Sequence, residues 1–205
     1  MKEFITNLAL FVIFAIAISG LNACSSSQQT ASNGNAANTV KTNSQTSETK
    51  SSSFPPLPSG IADAAIELPD GTITKASDHK GKVILLNLWG VWCGPCREEM
   101  PHLAELQAKY GDRGFEVLGL NIGDQNGSPE DFGKIKIAGD QMKINYPLGR
   151  IQNESIKQYY LLSRQEAVPQ TVLVDRDGRL RGVFVGGGPT VMNSISQSVE
   201  KAMSE

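Results

Sequence analysis

The strongest constraint on this chain is a junction in its middle, where the hydrophobic segment Val83 to Leu88 leads into Trp89-Gly90-Val91-Trp92-Cys93-Gly94-Pro95-Cys96 and a helix-like segment, Arg97 to Tyr110, follows. The run shows no polar alternation over Val83-Ile84-Leu85-Leu86, which predicts a central strand covered on both faces. A cysteine at the start of the next helix meets unsatisfied backbone N–H groups and the positive end of the macrodipole, and both favour thiolate over thiol. Thiolate attacks disulfides, and a second cysteine one turn on can resolve the mixed disulfide that forms. Other uses of such a pair fit less well. Zinc wants four ligands, whereas the chain has two histidines, His79 and His102, and no second cysteine pair. Covalent haem attachment requires histidine after the second cysteine, where Arg97 stands. A purely structural disulfide closing so short a loop would constrain the unfolded chain little. Redox chemistry is the expected use, with no metal and no cofactor.

The N-terminal quarter has a different character. Leu8 to Ile18 are eleven consecutive apolar residues, too few to span a bilayer as a helix but suited to the hydrophobic region of a secretory leader. Leu21-Asn22-Ala23-Cys24 then resembles a bacterial lipobox, which implies cleavage before Cys24 and lipid modification of that residue. An ordinary leader with an incidental Cys24 is the alternative. Residues 25–53 hold 21 Ser, Thr, Asn or Gln among 29 positions. So few apolar side chains cannot offset the entropy of ordering the segment, so a disordered tether is expected. The expected division is a leader over 1–23, a lipidated tether over 24–53 and one domain over 54–205. That domain carries 16 basic and 19 acidic residues without a basic cluster, which argues against nucleic acid as a partner.

Within the domain, Ile61 to Leu68, Pro69-Asp70-Gly71 and Thr72 to Lys75 predict a hairpin on an Asp-Gly turn. Met100, Leu103, Leu106 and Tyr110 form a core-facing helical stripe, with Pro101 inside it. Phe115 to Asn121 predicts a second buried strand. Ser128-Pro129-Glu130-Asp131 predicts a helix start with Ser128 as cap. A shorter helix is expected from Asn153 to Tyr160, a hairpin from Val172-Leu173-Val174 through Asp177-Gly178 to Leu180–Val185, and a terminal helix over Thr190 to Met203. The pattern gives an α/β fold, a mixed central sheet flanked by helices with an added N-terminal β-hairpin.

The Trp-Cys-Gly-Pro-Cys run, Pro101 five residues after Cys96, and Val168-Pro169 before a strand together resemble thioredoxin. Gly81-Lys82-Val83 through Asn87-Leu88-Trp89, Cys96-Arg97-Glu98-Glu99-Met100-Pro101, Asn121-Ile122-Gly123 and the Asp175 to Gly178 turn resemble the TlpA/ResA-like branch of that fold. Gly149-Arg150 departs from it, standing where apolar strand residues are expected after Tyr146-Pro147.

Cys93 is expected as the exposed attacking thiol and Cys96 as the buried resolving thiol, with Gly94 and Pro95 setting the turn. Glu99, three residues after Cys96, falls on nearly the same helix face, where a carboxylate could take the resolving thiol's proton. The resemblance places a functional glutamate there, while Asn87 occupies the position of thioredoxin's buried aspartate. A solvated glutamate like Glu98 is the plainer alternative. The resemblance also implies a cis Val168–Pro169 bond in a loop that presents backbone to substrate. Trp92 is expected on the substrate-facing surface and Trp89 in the core. No role is expected for His79 or His102. The implied function is a lipid-anchored thiol–disulfide oxidoreductase of the bacterial cell envelope that reduces disulfides in envelope proteins, the Gly94-Pro95 pair resembling thioredoxin's own. Its implied partners are client proteins with disulfides or vicinal cysteines (apocytochrome c among them), a transmembrane thiol electron donor, and the membrane through its lipid. An envelope oxidant, a thiol peroxidase and a non-catalytic binding module are the alternatives.

Overall fold

The computed structural model describes residues 53–205. The expected leader, the Leu21–Cys24 tetrapeptide, the lipidation candidate Cys24 and all of the expected tether but Ser53 lie outside the described residues. In chain order the elements are α1 (Ser59–Ala62), β1 (Ile66–Glu67), β2 (Ile73–Thr74), a 3-10 turn (Ala76–His79), β3 (Val83–Trp89), α2 (Gly94–Tyr110), a second 3-10 turn (Gly111–Arg113), β4 (Phe115–Asn121), α3 (Phe132–Gln141), β5 (Leu148–Ile151), α4 (Asn153–Ser163), β6 (Gln170–Val174), β7 (Leu180–Val185) and α5 (Pro189–Ser204).

The seven strands form one mixed sheet in the order β2-β1-β5-β4-β3-β6-β7. Strand β3 lies parallel to β4 and antiparallel to β6, and β4 lies parallel to β5. Every residue of β3 is buried, as an apolar run without alternation requires. The pleat divides it between two cores. Val83, Leu85 and Trp89 join α2 and α5 side chains on one face; Ile84, Leu86 and Leu88 join Ile61 of α1 and Tyr159 of α4 on the other. Each fully buried leucine contributes roughly 1.5–3 kcal/mol relative to an exposed one.

Asn87 continues the α2-facing set, since side chains alternate along a strand. Its register partner across the sheet is Thr171 of β6. Two polar side chains are therefore placed side by side beneath α2.

The structure departs from the sequence reading in three places outside the site. The segment before β1 opens with α1 instead of extended chain, leaving only two residues per strand in the hairpin. Ser128 does not cap a helix. Asp124 Oδ1 accepts from the backbone N–H of Asn126 and Ser128, at 2.8 and 2.9 Å, and Asp124 N donates to Ser128 O at 2.8 Å. That closed turn carries Pro129 and Glu130 onward, and Asp131 caps α3 by accepting from Gly133 and Lys134. Finally, Leu148–Ile151 is a strand despite its Gly-Arg centre. Gly149 lets β1 approach closely: a Cβ there would lie 2.7 Å from Ile66 Cγ2 and 2.9 Å from Glu67 O. Arg150 pairs with Glu67 at 2.8 Å and stacks on Phe132 with its guanidinium 3.9 Å from the ring centre.

Candidate active site

Strand β3 ends at Trp89, and a short turn, with Cys93 N donating to Gly90 O at 3.0 Å, delivers Cys93 to the N-cap of α2. Its Sγ accepts from Cys96 N at 3.2 Å, which satisfies one of the orphan donors of the first turn. Pro95 sits in that turn, where a missing N–H costs nothing. Cys93 and Cys96 form a disulfide with their Cα atoms 5.3 Å apart.

Cys93 is not the exposed residue the sequence suggested. It is 4% exposed and Cys96 is 0% exposed. Its sulfur is bonded to Cys96 and turned toward the helix N-terminus, while Gly94 and Pro95 form the exposed rim.

Three segments converge on this turn. Trp92, 42% exposed, donates through Nε1 to Gly123 O at 3.0 Å, whereas Trp89 is fully buried. Val168–Pro169 is a cis peptide, as the resemblance implied, and Val168 packs against the core containing both cysteines. The loop after β7 joins the other two: Gly186 N donates to Pro169 O at 2.9 Å. A Cβ on Gly187 would lie 3.3 Å from Pro95 Cβ. Beside Trp92 lies a surface hollow of about 440 Å³, lined in part by Ile122, Asp124, Lys157, Tyr160 and Glu166.

Glu99 is 1% exposed, unlike its solvent-exposed neighbour Glu98. Asn87 Nδ2 donates to its Oε1 at 2.8 Å and Thr171 Oγ1 donates to the same oxygen at 2.9 Å. Burial pushes the carboxyl up to about 7, against the pull of those two donors, which stabilise the charged form. A group balanced near neutrality one turn from Cys96 can give or take a proton at working pH. Burial also raises the hydroxyl of Tyr146, and the charge of Glu99 adds to that effect.

Thr171 went unnoticed in the sequence. The signal was its place two residues beyond Pro169, on a strand that must pair with β3. The histidines serve the scaffold: His79 bridges Thr74 and Glu116, and His102 bonds Ser196. Among the described residues no group of three His, Cys, Asp or Glu is placed to hold a metal ion. No helix among them is long and apolar enough to cross a membrane.

Comparison with known proteins agrees with this geometry. Residues 61–183 match the AhpC/TSA family. The thiol-disulfide oxidoreductase ResA of Geobacillus kaustophilus is 30% identical over 112 residues, 55% of this chain and 59% of its own length. The chain thus spans only about three fifths of that curated relative. Among solved structures, the thiol:disulfide interchange protein DsbE of Chlorobium tepidum is 27% identical, with a TM-score of 0.56 over 68% of this chain and 92% of its own. A thioredoxin family thiol:disulfide interchange protein from Chlorobium tepidum TLS matches in fold at 23% identity, with a TM-score of 0.58 over 74% of this chain and 98% of its own. The chain belongs to the AhpC/TSA family, with a thioredoxin fold of the TlpA/ResA-like kind.

Proposed function

We propose that this chain is a thiol–disulfide oxidoreductase that reduces disulfides in proteins of the bacterial cell envelope. The observation that carries the reading is the Cys93–Cys96 pair at the N-terminus of α2 with the buried, near-neutral carboxyl of Glu99 one turn further on. In the reduced enzyme, Cys93 thiolate attacks a client disulfide, forming a mixed disulfide and releasing one client thiolate. Cys96 then passes its proton to the Glu99 carboxylate. The resulting Cys96 thiolate attacks Cys93 Sγ, closes the disulfide and expels the second client thiolate. The client gains two electrons and two protons overall, one proton by way of Glu99 and the other from solvent, and a thiol donor of the membrane restores the dithiol.

The exposed rim of Gly94 and Pro95, the Val168–Pro169 loop and Trp92 are the surface on which a client segment would lie, with the hollow beside Trp92 as its flank. Backbone groups of the Pro169 loop suit an extended client segment, a local form of strand addition. The leader and Leu21–Cys24 support an extracytoplasmic setting with Cys24 as the lipid anchor. Apocytochrome c, whose haem-binding cysteines must be reduced, is the client class we favour.

The reduction potential of the Cys93–Cys96 couple, measured by equilibration with dithiothreitol or glutathione, tests the direction of flow. A value near about −270 mV supports a reductant; one near about −120 mV would make the protein an oxidant. Rapid peroxide consumption by the reduced protein would replace the reading with a thiol peroxidase.

A further inference from the structure

The buried hydrogen bonds around Glu99 are lopsided. Both donors converge on Oε1, and Asn87 Nδ2 also reaches Thr171 Oγ1 at 2.9 Å. Among the described residues no hydrogen bond is directed to Oε2, while Asn87 Oδ1 is buried with no partner at all. A bare buried acceptor is costly, and such groups call for a specific reason. An ionised carboxylate, which only accepts, cannot relieve it; a neutral acid carries one O–H that can.

We propose that Asn87 and Thr171 are positioning residues for the Glu99 proton. Their donors anchor Oε1, Oε2 is the atom that takes and returns the proton, and Asn87 Oδ1 accepts the hydrogen bond of the neutral acid. The side-chain amide and the carboxyl already share one edge through the 2.8 Å bond, and the neutral acid completes the second edge. An amide suits this role in both states, because it carries a donor and an acceptor and no charge. An aspartate at position 87 would set a second negative charge against Glu99. The surroundings are otherwise neutral: β3 and β6 contain no ionisable side chain. Tyr146 ahead of β5 feels the charge of Glu99, and on its own helix Cys93 and Cys96 are disulfide-bonded, Glu98 is exposed and His102 bonds Ser196 of α5. The proposal rests on the reading of Glu99 as proton acceptor for Cys96.

The test is a carbon-detected NMR titration of the oxidised full-length protein, following the Glu99 carboxyl and the Asn87 side-chain carbonyl together. In the unsubstituted protein both signals should move with one midpoint, and in Glu99→Gln the Asn87 signal should stop titrating. Thr171→Val removes a donor from the carboxylate and should raise the Glu99 midpoint by roughly 0.4–1 pH unit; Thr171→Ser, which keeps the hydroxyl, should restore it. An Asn87 carbonyl that ignores the Glu99 titration would overturn the proposal, and that measurement needs no variant to fold. So would a Thr171→Val midpoint equal to that of the unsubstituted protein. The pH profile of client reduction separates the two claims. If Thr171→Val moves the NMR midpoint while the rate profile stays put, the positioning stands and the proton-acceptor reading falls.

Discussion

Replacing Glu99 with Gln should change how stability depends on pH, and the sign follows from the burial of the carboxyl. Glu99 is held at about 7 against an ordinary value of 4.5, chiefly by desolvation. The folded chain therefore binds this proton more tightly than the unfolded chain does. The stabilisation is fully present below about pH 4.5 and is lost as pH rises through 7. At roughly 1.4 kcal/mol per pH unit, that difference amounts to about 3 kcal/mol. For a domain of this size it corresponds to roughly 6–12 °C in melting temperature. Glutamine keeps the shape and does not titrate, so the stability of the variant minus that of the unsubstituted protein isolates this one group. Thermal or urea unfolding of the oxidised proteins from pH 4.5 to 8.5 should show that difference rising in the variant's favour by about 3 kcal/mol. Glu116 does not confuse the window. Its bonds to His79, and then to Lys82, lower it to about 2, so its stabilisation is present above its ordinary value and lost as pH falls through 2. A difference that stays level between pH 5 and 8 would refute the claim that Glu99 is buried at a cost.

Three further outcomes follow from the same structure. Client reduction should follow a midpoint near pH 7 that Glu99→Gln abolishes while slowing the resolving step, as stopped-flow detection of the mixed disulfide would show. Gly123→Ala should cost about 1–3 kcal/mol in urea unfolding and perturb Trp92 fluorescence. Gly123 has φ +92°, a Cβ there would run into Ser128 O, and its own carbonyl holds Trp92 Nε1. Leu85→Ala, at a fully buried position of β3, should cost about 2–5 kcal/mol by the same measurement.

The parts legible in the sequence were those where a local pattern and the tertiary demand agree. The four-residue apolar run Val83-Ile84-Leu85-Leu86 opens a doubly covered strand, β3, as its lack of alternation suggested; Phe115–Asn121 forms β4 with the bounds its pattern suggested. The cysteine turn announced itself by residue type. What stayed hidden depends on partners distant in the chain. Gly149 and Arg150 read as a break because their strand is completed by Ile66, Glu67 and Phe132, remote in sequence. Ser128 looks like a cap until Asp124 claims its backbone. Asn87 and Glu99 were visible as candidates, but the third member of their cluster, Thr171, lies 72 residues beyond Glu99. Only the antiparallel register of β3 and β6 sets it beside them. The burial of Cys93 was missed for a related reason: residue type fixes its place at the helix start but not how the disulfide turns its sulfur inward.

The central claim is that Cys93 attacks and Cys96 resolves. The most direct measurement exposes the Cys96→Ser and Cys93→Ser variants to a cystine-containing peptide and weighs the intact proteins by mass spectrometry. The account predicts a stable mixed disulfide on Cys93 in the Cys96→Ser variant and little or none in Cys93→Ser, because Cys93 sits at the N-cap beside the exposed Gly94 and Pro95, whereas Cys96 lies inside α2 with no exposed surface. Equal adduct on both variants, or adduct only on Cys96, would contradict it.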